Sequence, residues 1–262
     1  MLHSARHIIR DLLAVCHRMY EKGFVTATDG NVSVRLADAG ILVTGTGVCK
    51  GFVTEDDLVV VNERGDVIVG NTSPSSELGL HLFIYQQRSD VQAIVHGHPT
   101  YATGFATARI PLTACLYPEI IVGLGSIPLA EYATPSTREV VDAIAQYVSN
   151  ADAILLANHG VVAYGNTLSD AYFKLEKVEH AAHITFVARL LGGEVPLTSG
   201  ELESLRRISL ESYGKEFTSK VACEPRLWDG GRDERTGRVY EEEEVRRMME
   251  RVIEKMESHK PT

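Results

Sequence analysis

Between residues 32 and 69 the chain carries four short runs rich in β-branched residues: Val32-Ser33-Val34-Arg35-Leu36, Ile41-Leu42-Val43-Thr44, Leu58-Val59-Val60-Val61 and Val67-Ile68-Val69. Turns such as Arg64-Gly65-Asp66 separate them. Such runs are strand signals. A parallel crossover needs a dozen or more residues, so this close spacing predicts antiparallel pairing. Ahead of them, Ile8, Ile9, Leu12, Leu13 and Cys16 form a helical stripe that stops at Gly23. That stripe predicts an amphipathic helix over residues 4–22 whose apolar side must cover a sheet.

The period turns helical from Ser75 to Arg88, and Val91-Gln92-Ala93-Ile94-Val95 then reads as a buried strand. A shorter helix is expected over residues 100–108. Another runs from the Thr134-Pro135-Ser136-Thr137 cluster to Val148, after which Ala153-Ile154-Leu155-Leu156-Ala157 returns to the sheet. Long and short helices follow over 169–191 and 200–215. The expectation is an α/β catalytic domain over residues 1–222, a three-layer αβα arrangement in which helices cover both faces of a mainly antiparallel central sheet. From residue 223 to 262 the composition becomes strongly charged. Glu241 to Glu244 lead into a segment with basic residues later, as a helix dipole prefers, so this extension should hold a helix.

Charge and apolar run length exclude two function classes. Asp and Glu total 35 against 26 Lys and Arg, a net charge of −9, which is the wrong field for a nucleic-acid partner. No apolar run approaches the ~20 residues needed to cross a bilayer. Arg6, Arg10 and Asp11 interrupt the stretch a signal peptide would need, so the chain reads as cytoplasmic with its native N-terminus. Cys16, Cys49, Cys115 and Cys223 are far apart without CxxC spacing, and four reduced thiols are expected.

The chemistry concentrates on Glu77, His96, His98 and His159. His96 and His98 flank Gly97, and on an extended backbone both imidazoles point to one face. His159 follows the strand at 153–157, where the chain turns and a side chain can project from the sheet end. Glu77, in the first turn of the predicted 75–88 helix, adds a carboxylate. Three neutral nitrogens and one carboxylate suit zinc, with other imidazole-binding divalent ions as lesser options. His180 and His183 with Glu176 and Glu179 lack a matching second helix and read as surface ion pairs. His81 reads as a packed residue supporting the site.

Three loops, Thr28-Asp29-Gly30-Asn31, Thr44-Gly45-Thr46-Gly47 and Ser73-Pro74-Ser75-Ser76, combine glycines, hydroxyls and a helix start, and phosphate is their natural guest. They do not form a P-loop. Asp29 would oppose a phosphate unless it points away. Lys50, the one lysine near these loops, reads as a surface residue, against Schiff-base chemistry.

With these residues in hand, the chain resembles the class II aldolase/adducin family. The matching strings are GNVSVR at 30–35, TGTG at 44–47, PSSE at 74–77, VHGHPTYAT at 95–103, EYATPSTRE at 131–139 and NHGVVA at 158–163. The resemblance implies one zinc ion per subunit on His96, His98, His159 and Glu77, with Glu77 also the acid/base. It implies phosphate binding by Gly30, Asn31, Thr46, Gly47, Ser75 and Ser76. Tyr117 falls where the family's aldolases carry a proton-donating tyrosine that acts across a subunit boundary, and Tyr213 where a C-terminal tyrosine helps close the site. The implied protein is a homotetrameric zinc aldolase that cleaves a ketose 1-phosphate, L-fuculose 1-phosphate or a related 5-deoxy or 5-thio ketose 1-phosphate, to dihydroxyacetone phosphate and an aldehyde. Within the same fold the alternatives are methylthioribulose-1-phosphate dehydratase, L-ribulose-5-phosphate 4-epimerase and sugar-acid phosphate decarboxylase. Glu rather than Asp at position 77 argues against the epimerase. A non-enzymatic, adducin-like interaction protein would be expected to lack the complete metal set.

Overall fold

The computed structural model describes residues 6–37, 40–213, 232–233 and 238–239. It divides the chain into two compact units, Met1–Glu224 and Pro225–Thr262. In the first unit, α1 (Arg6–Glu21) leads into β1 (Asn31–Arg35), β2 (Ile41–Thr44), β3 (Leu58–Val61) and β4 (Val67–Val69). Then come α2 (Leu78–Gln87), β5 (Ala93–Gly97), α3 (Thr100–Thr107), α4 (Pro118–Gly123), β6 (Leu129–Ala130), α5 (Arg138–Val148), β7 (Ala153–Leu156) and β8 (Gly160–Gly165). The helices α6 (Leu168–Leu190) and α7 (Ser199–Tyr213) close the unit. In the second unit, β9 (Arg232–Asp233) pairs antiparallel with β10 (Arg238–Val239). The helix expected after Glu244 lies outside the described residues.

The first unit is built on one eight-stranded sheet in the order β4-β3-β2-β1-β5-β8-β7-β6. Its pairs are antiparallel except β6 with β7. The tight spacing of the early runs thus paired as expected. Alternate strand residues feed two apolar clusters. Val32, Leu42, Val60, Val95 and Val161 join Leu12 and Met19 of α1 and Leu175 and Val178 of α6 in one cluster. Val43, Val59, Ile94, Ile154 and Val162 join Ile84 of α2 and Ile144 of α5 in the other. Each fully buried Leu or Ile contributes about 1.5–3 kcal/mol.

Three departures from expectation position the site. First, α2 begins at Leu78, and Glu77 is its N-cap at φ −96° and ψ 13° instead of a residue of the first turn. Residues 73–75 are engaged elsewhere: Thr46 N donates to Ser73 O at 2.9 Å and Ser75 N to Thr44 O at 3.1 Å, so two of the polar loops are tied edge to edge. Second, the apolar run after His159 is a full central strand, β8, which pairs with both β5 and β7. Third, α4 and β6 were not anticipated, although Pro118 at the first position of α4 is a start signal.

Among the described residues Cys16 and Cys49 are free. Cys115 is disulfide-bonded, which corrects the expectation of four reduced thiols; pairing depends on Cβ geometry in the fold and is invisible in spacing. No helix among the described residues is long and apolar enough to cross a membrane.

Candidate metal centre and anion cavity

His96 sits near the end of β5, fully buried, opposite Asn31 of β1 and Val162 of β8. His98 lies one residue beyond β5, where its backbone N–H donates to Phe24 O at 2.7 Å. Asn158 adopts φ +54°, a left-handed conformation that turns β7 into β8 and leaves His159 at the sheet end. Gly160 must be glycine, since a Cβ there would collide with the His98 ring and the Gly97 carbonyl.

These turns bring three imidazoles together. Ring centroids are 4.9 Å apart for His96 and His98, 4.8 Å for His96 and His159, and 5.0 Å for His98 and His159. His96 Nδ1 donates to Val161 O at 2.9 Å, which in the neutral ring leaves a lone pair on Nε2. That Nε2 is 3.1 Å from His98 Nε2 and 3.2 Å from Glu77 Oε2. Glu77 Oε1 is 3.2 Å from His159 Nε2, yet it is buried without a hydrogen bond among the described residues.

The donor set fits a divalent cation. Ligands about 2.0 Å from a tetrahedral ion stand about 3.3 Å from one another, close to the three spacings above, and the ligand atoms of the three histidines all lie within 4.8 Å of one another. With His96 and His98 nitrogen to nitrogen and Glu77 Oε1 unbonded, the hydrogen bonds among the described residues do not close the cluster.

Electrostatics agree with the geometry. Burial alone would raise the Glu77 carboxyl, but the charge and hydrogen bond of His96, with His159 and Asn31 behind them, hold it well below the usual carboxylate range. Burial pulls His96 down, but Glu77 outweighs it and holds His96 above its ordinary value. Burial and then the charge of His96 lower His98 and His159 to about 4 each, so near neutral pH they are the neutral imidazoles that a metal binds.

A second chain of hydrogen bonds stands behind Glu77. Asn31 Nδ2 donates to Glu77 Oε2 at 2.9 Å, and Asn31 Oδ1 accepts from His81 Nε2 at 2.6 Å. His81 Nδ1 then accepts from Ser33 Oγ at 2.7 Å, and Ser33 Oγ is 2.9 Å from Tyr85 Oη. Burial, then the charge of His96, depresses His81 to about 3. It is therefore a neutral residue that orients Asn31. The Asn31 side chain bonds Glu77 and His81, and Asn31 also lines the cavity of the glycine loops. The strand register that aims it inward could not be read from the loop sequence.

The loop residues converge: Gly30, Asn31, Thr46, Gly47, Ser75 and Ser76 line one cavity of about 360 Å³ together with Glu77, His98 and His159. Gly30 and Gly47 have φ of +71° and +68°, where glycine is favoured. Ser75 Oγ accepts from Glu77 N at 3.3 Å, and Ser76 Oγ accepts from Ser136 Oγ at 3.0 Å. Asp29 lines the same cavity with its carboxylate 3.7 Å from His98 Nδ1, so it leans toward the imidazoles.

Lys50 corrects the sequence reading. It is 1% exposed and lines this cavity, with Nζ donating to Thr28 O at 3.2 Å and to Val48 O. Its long stem made it look like a surface residue, and the only warning was its position three residues after a glycine loop.

Tyr117 is not brought to the cavity of its own chain. It caps α4 and lies 3.3 Å from Thr185 Oγ1, lining a separate pocket with Ile120 and Ile127. Tyr213 ends α7, but its side chain lies outside the described residues. Glu179 accepts from Tyr101 N at 3.0 Å and Ala102 N at 2.8 Å, capping α3, and His183 stacks on Tyr101 at 3.9 Å. Among the described residues neither makes the ion pair expected of a surface face, whereas Glu176 of the same helix pairs with Lys22 at 3.8 Å.

Comparison with known proteins reaches the same region. A family signature described as the Class II Aldolase and Adducin N-terminal domain matches residues 10–186. An L-fuculose phosphate aldolase of Methanococcus maripaludis is 33% identical over 184 residues, 70% of this chain and 98% of its own. A 5-deoxy-D-ribulose 1-phosphate aldolase of Bacillus thuringiensis serovar kurstaki is 31% identical over 207 residues, 79% of this chain and 96% of its own. A solved L-fuculose 1-phosphate aldolase superposes with a TM-score of 0.71 at 34% identity, covering 76% of this chain and 94% of that one.

Proposed function

The chain belongs to the class II aldolase and adducin family, and from that premise we propose that it is a metal-dependent aldehyde-lyase acting on a phosphorylated ketose. The substrate of this reading is L-fuculose 1-phosphate or a related 5-deoxy or 5-thio ketose 1-phosphate, and the products are dihydroxyacetone phosphate and an aldehyde. The observation that carries it is the shared cavity: His98, His159 and Glu77 open onto the same space as Gly30, Thr46, Gly47, Ser75 and Ser76. A divalent ion, zinc in this reading and one per subunit, held by His96, His98, His159 and in the resting form Glu77, would supply a Lewis acid for the substrate's carbonyl oxygen.

The protein's own residues do the rest. The glycine loops and the N–H groups at the start of α2 receive the phosphate and fix the sugar's register. Cleavage breaks the C3–C4 bond: the C4 hydroxyl proton leaves, its oxygen becomes the aldehyde, and C3 is reprotonated. In this reading Glu77 Oε1 moves that proton, supported by Asn31 holding Oε2 while Oε1 has no hydrogen bond among the described residues. Freed from its cationic neighbours in the buried cavity, the carboxyl would rise in pKa toward a useful acid/base.

Tyr117 belongs to the reading as a proton donor to a neighbouring subunit's cavity, and Tyr213 as a residue that closes it. The reading includes a homotetramer, the assembly that the family resemblance implies. Exposed apolar residues support association, with Leu191 82% and Val195 88% exposed in the single chain. A phosphorylated sugar does not cross a bilayer unaided, so the reading includes a cytoplasmic setting. Its fold is the three-layer αβα arrangement, supported by the two apolar clusters, and its catalytic domain is residues 1–222, with 223–262 as a charged extension.

The test is a panel of ketose 1-phosphates assayed for dihydroxyacetone phosphate. Release that stops with a chelator and returns with zinc supports the aldolase. Loss of water, an epimer or carbon dioxide without cleavage would instead assign the dehydratase, epimerase or decarboxylase of the same family.

A further inference from the structure

Lys50 is a cation in an unusual place. Its residue is 1% exposed, and its ammonium is met by two backbone carbonyls, those of Thr28 and Val48, with no carboxylate in ion-pair contact among the described residues. A buried charge with only neutral partners is costly, and proteins retain one where something else completes it. The two carbonyls belong to different segments, one in the 28–31 loop and one just after the 44–47 loop. Lys50 therefore ties together the two glycine loops that line the cavity.

The cavity has a matching deficit. Apart from histidines, its charged lining residues are Asp29, Glu77 and Lys50. A phosphate monoester carries close to two negative charges near neutral pH, and two carboxylates already face that space. A divalent ion shared with Glu77 would offset part of this, but at the loops themselves only hydroxyls and backbone N–H groups stand beside Lys50. Burial pushes the Lys50 ammonium below its ordinary value, while Cys16, Cys49 and Asp29 pull the other way. The site thus holds a cation whose charge is incompletely compensated until an anion arrives.

We propose that Lys50 is the phosphate-positioning residue of this cavity, its ammonium supplying the charge a phosphate monoester needs while its grip on Thr28 and Val48 holds the two glycine loops in place to receive it. The inference rests on the reading of these loops as an anion site. It adds what that reading lacked, a reason for the pocket to prefer a phosphorylated ligand over a neutral sugar despite its carboxylates. The role is electrostatic and positional, distinct from Schiff-base chemistry.

The experiment is calorimetric titration of the full chain with sodium phosphate, run with bound metal and again after chelation so that an anion on the metal is counted separately. Lys50→Met keeps the length and removes the charge. The expected result is a folded variant with unchanged metal content whose phosphate affinity falls at least tenfold, and whose melting temperature no longer rises when phosphate is added. Phosphate affinity within twofold of the unmodified chain would overturn the assignment. If the unmodified chain binds no phosphate at all, the anion reading of the cavity fails with it, whereas equal binding by both proteins sinks the Lys50 role alone. Should Lys50→Met not fold, 15N spectra of lysine ammonium groups in the unmodified chain decide. Among the lysines, the Lys50 signal should shift as phosphate saturates the cavity, and saturation without any change at that signal contradicts the proposal.

Discussion

Two charge clusters in this chain, one partly exposed and one buried, differ in whether they are complete. Around the ends of α2, β7 and α6, Arg88 Nη2 meets Asp90 at 2.7 Å and Asp152 at 2.9 Å, while Lys174 Nζ meets Asp152 at 2.8 Å and Asp170 at 2.9 Å. Spare donors there go to the carbonyls of Val148, Ala151 and Tyr164. At the other cluster, His96 and His98 face each other nitrogen to nitrogen and Glu77 Oε1 has no hydrogen bond among the described residues. The first cluster closes on itself and serves the fold. The second stays open, and an incomplete buried polar group marks where a ligand belongs.

The comparison breaks most sharply at the open cluster. His159→Ala should empty the metal site and reduce cleavage by about 10³-fold, the several kcal/mol of a lost Lewis acid at 1.36 kcal/mol per decade. Elemental analysis beside a cleavage assay checks it, and retained metal with retained activity would contradict it. Glu77→Gln should lower kcat by about 10²–10⁴-fold, as expected for a lost acid/base, and should also lower the melting temperature, because the carboxylate charge that His96, His159 and Asn31 stabilise is removed. A falling melting temperature with normal kcat would place Glu77 with the structural cluster.

The closed cluster should respond in the opposite sense. Arg88→Met is expected to cost about 2 kcal/mol of unfolding free energy, less than the roughly 3–5 of a fully buried pair because Asp152 is a third exposed, with KM and kcat unchanged. Denaturant melts and steady-state kinetics measured together test both halves.

His81 sharpens the comparison further, being as buried as His96 but with both ring nitrogens satisfied. Its folded pKa of about 3 lies below the ordinary 6.5, so in between the unfolded chain binds the extra proton. Its contribution is fully present above 6.5 and is lost as pH falls toward 3, by at most about 1.4 kcal/mol per pH unit. His81→Gln should flatten the stability profile of the metal-loaded protein across that window; an unchanged slope would remove His81 as its source.

The same contrast explains what the sequence disclosed. The early strands announced themselves because β-branched runs between tight turns have few other ways to pair, and β2, β3 and β4 lie where their runs were. The three imidazoles were legible because HxH and a His-Gly turn constrain where rings can point. Less visible were features decided by long-range register. Asn31 turned inward to Glu77 because it pairs with His96 across β1 and β5. Lys50 disappeared into the cavity because the Thr28 carbonyl, from a loop 22 residues earlier, accepts from it together with the nearby Val48 carbonyl. The strand β8 was hidden because its apolar run follows a glycine turn that drew attention to His159.

The most direct test is X-ray absorption at the metal edge on the purified full chain. The account predicts one divalent ion per chain, with imidazole scattering from three histidines at about 2.0–2.1 Å and an oxygen neighbour, all lost in His96→Ala. A chain that takes up no divalent ion, or whose ion shows sulfur neighbours or survives loss of His96 unchanged, would contradict it.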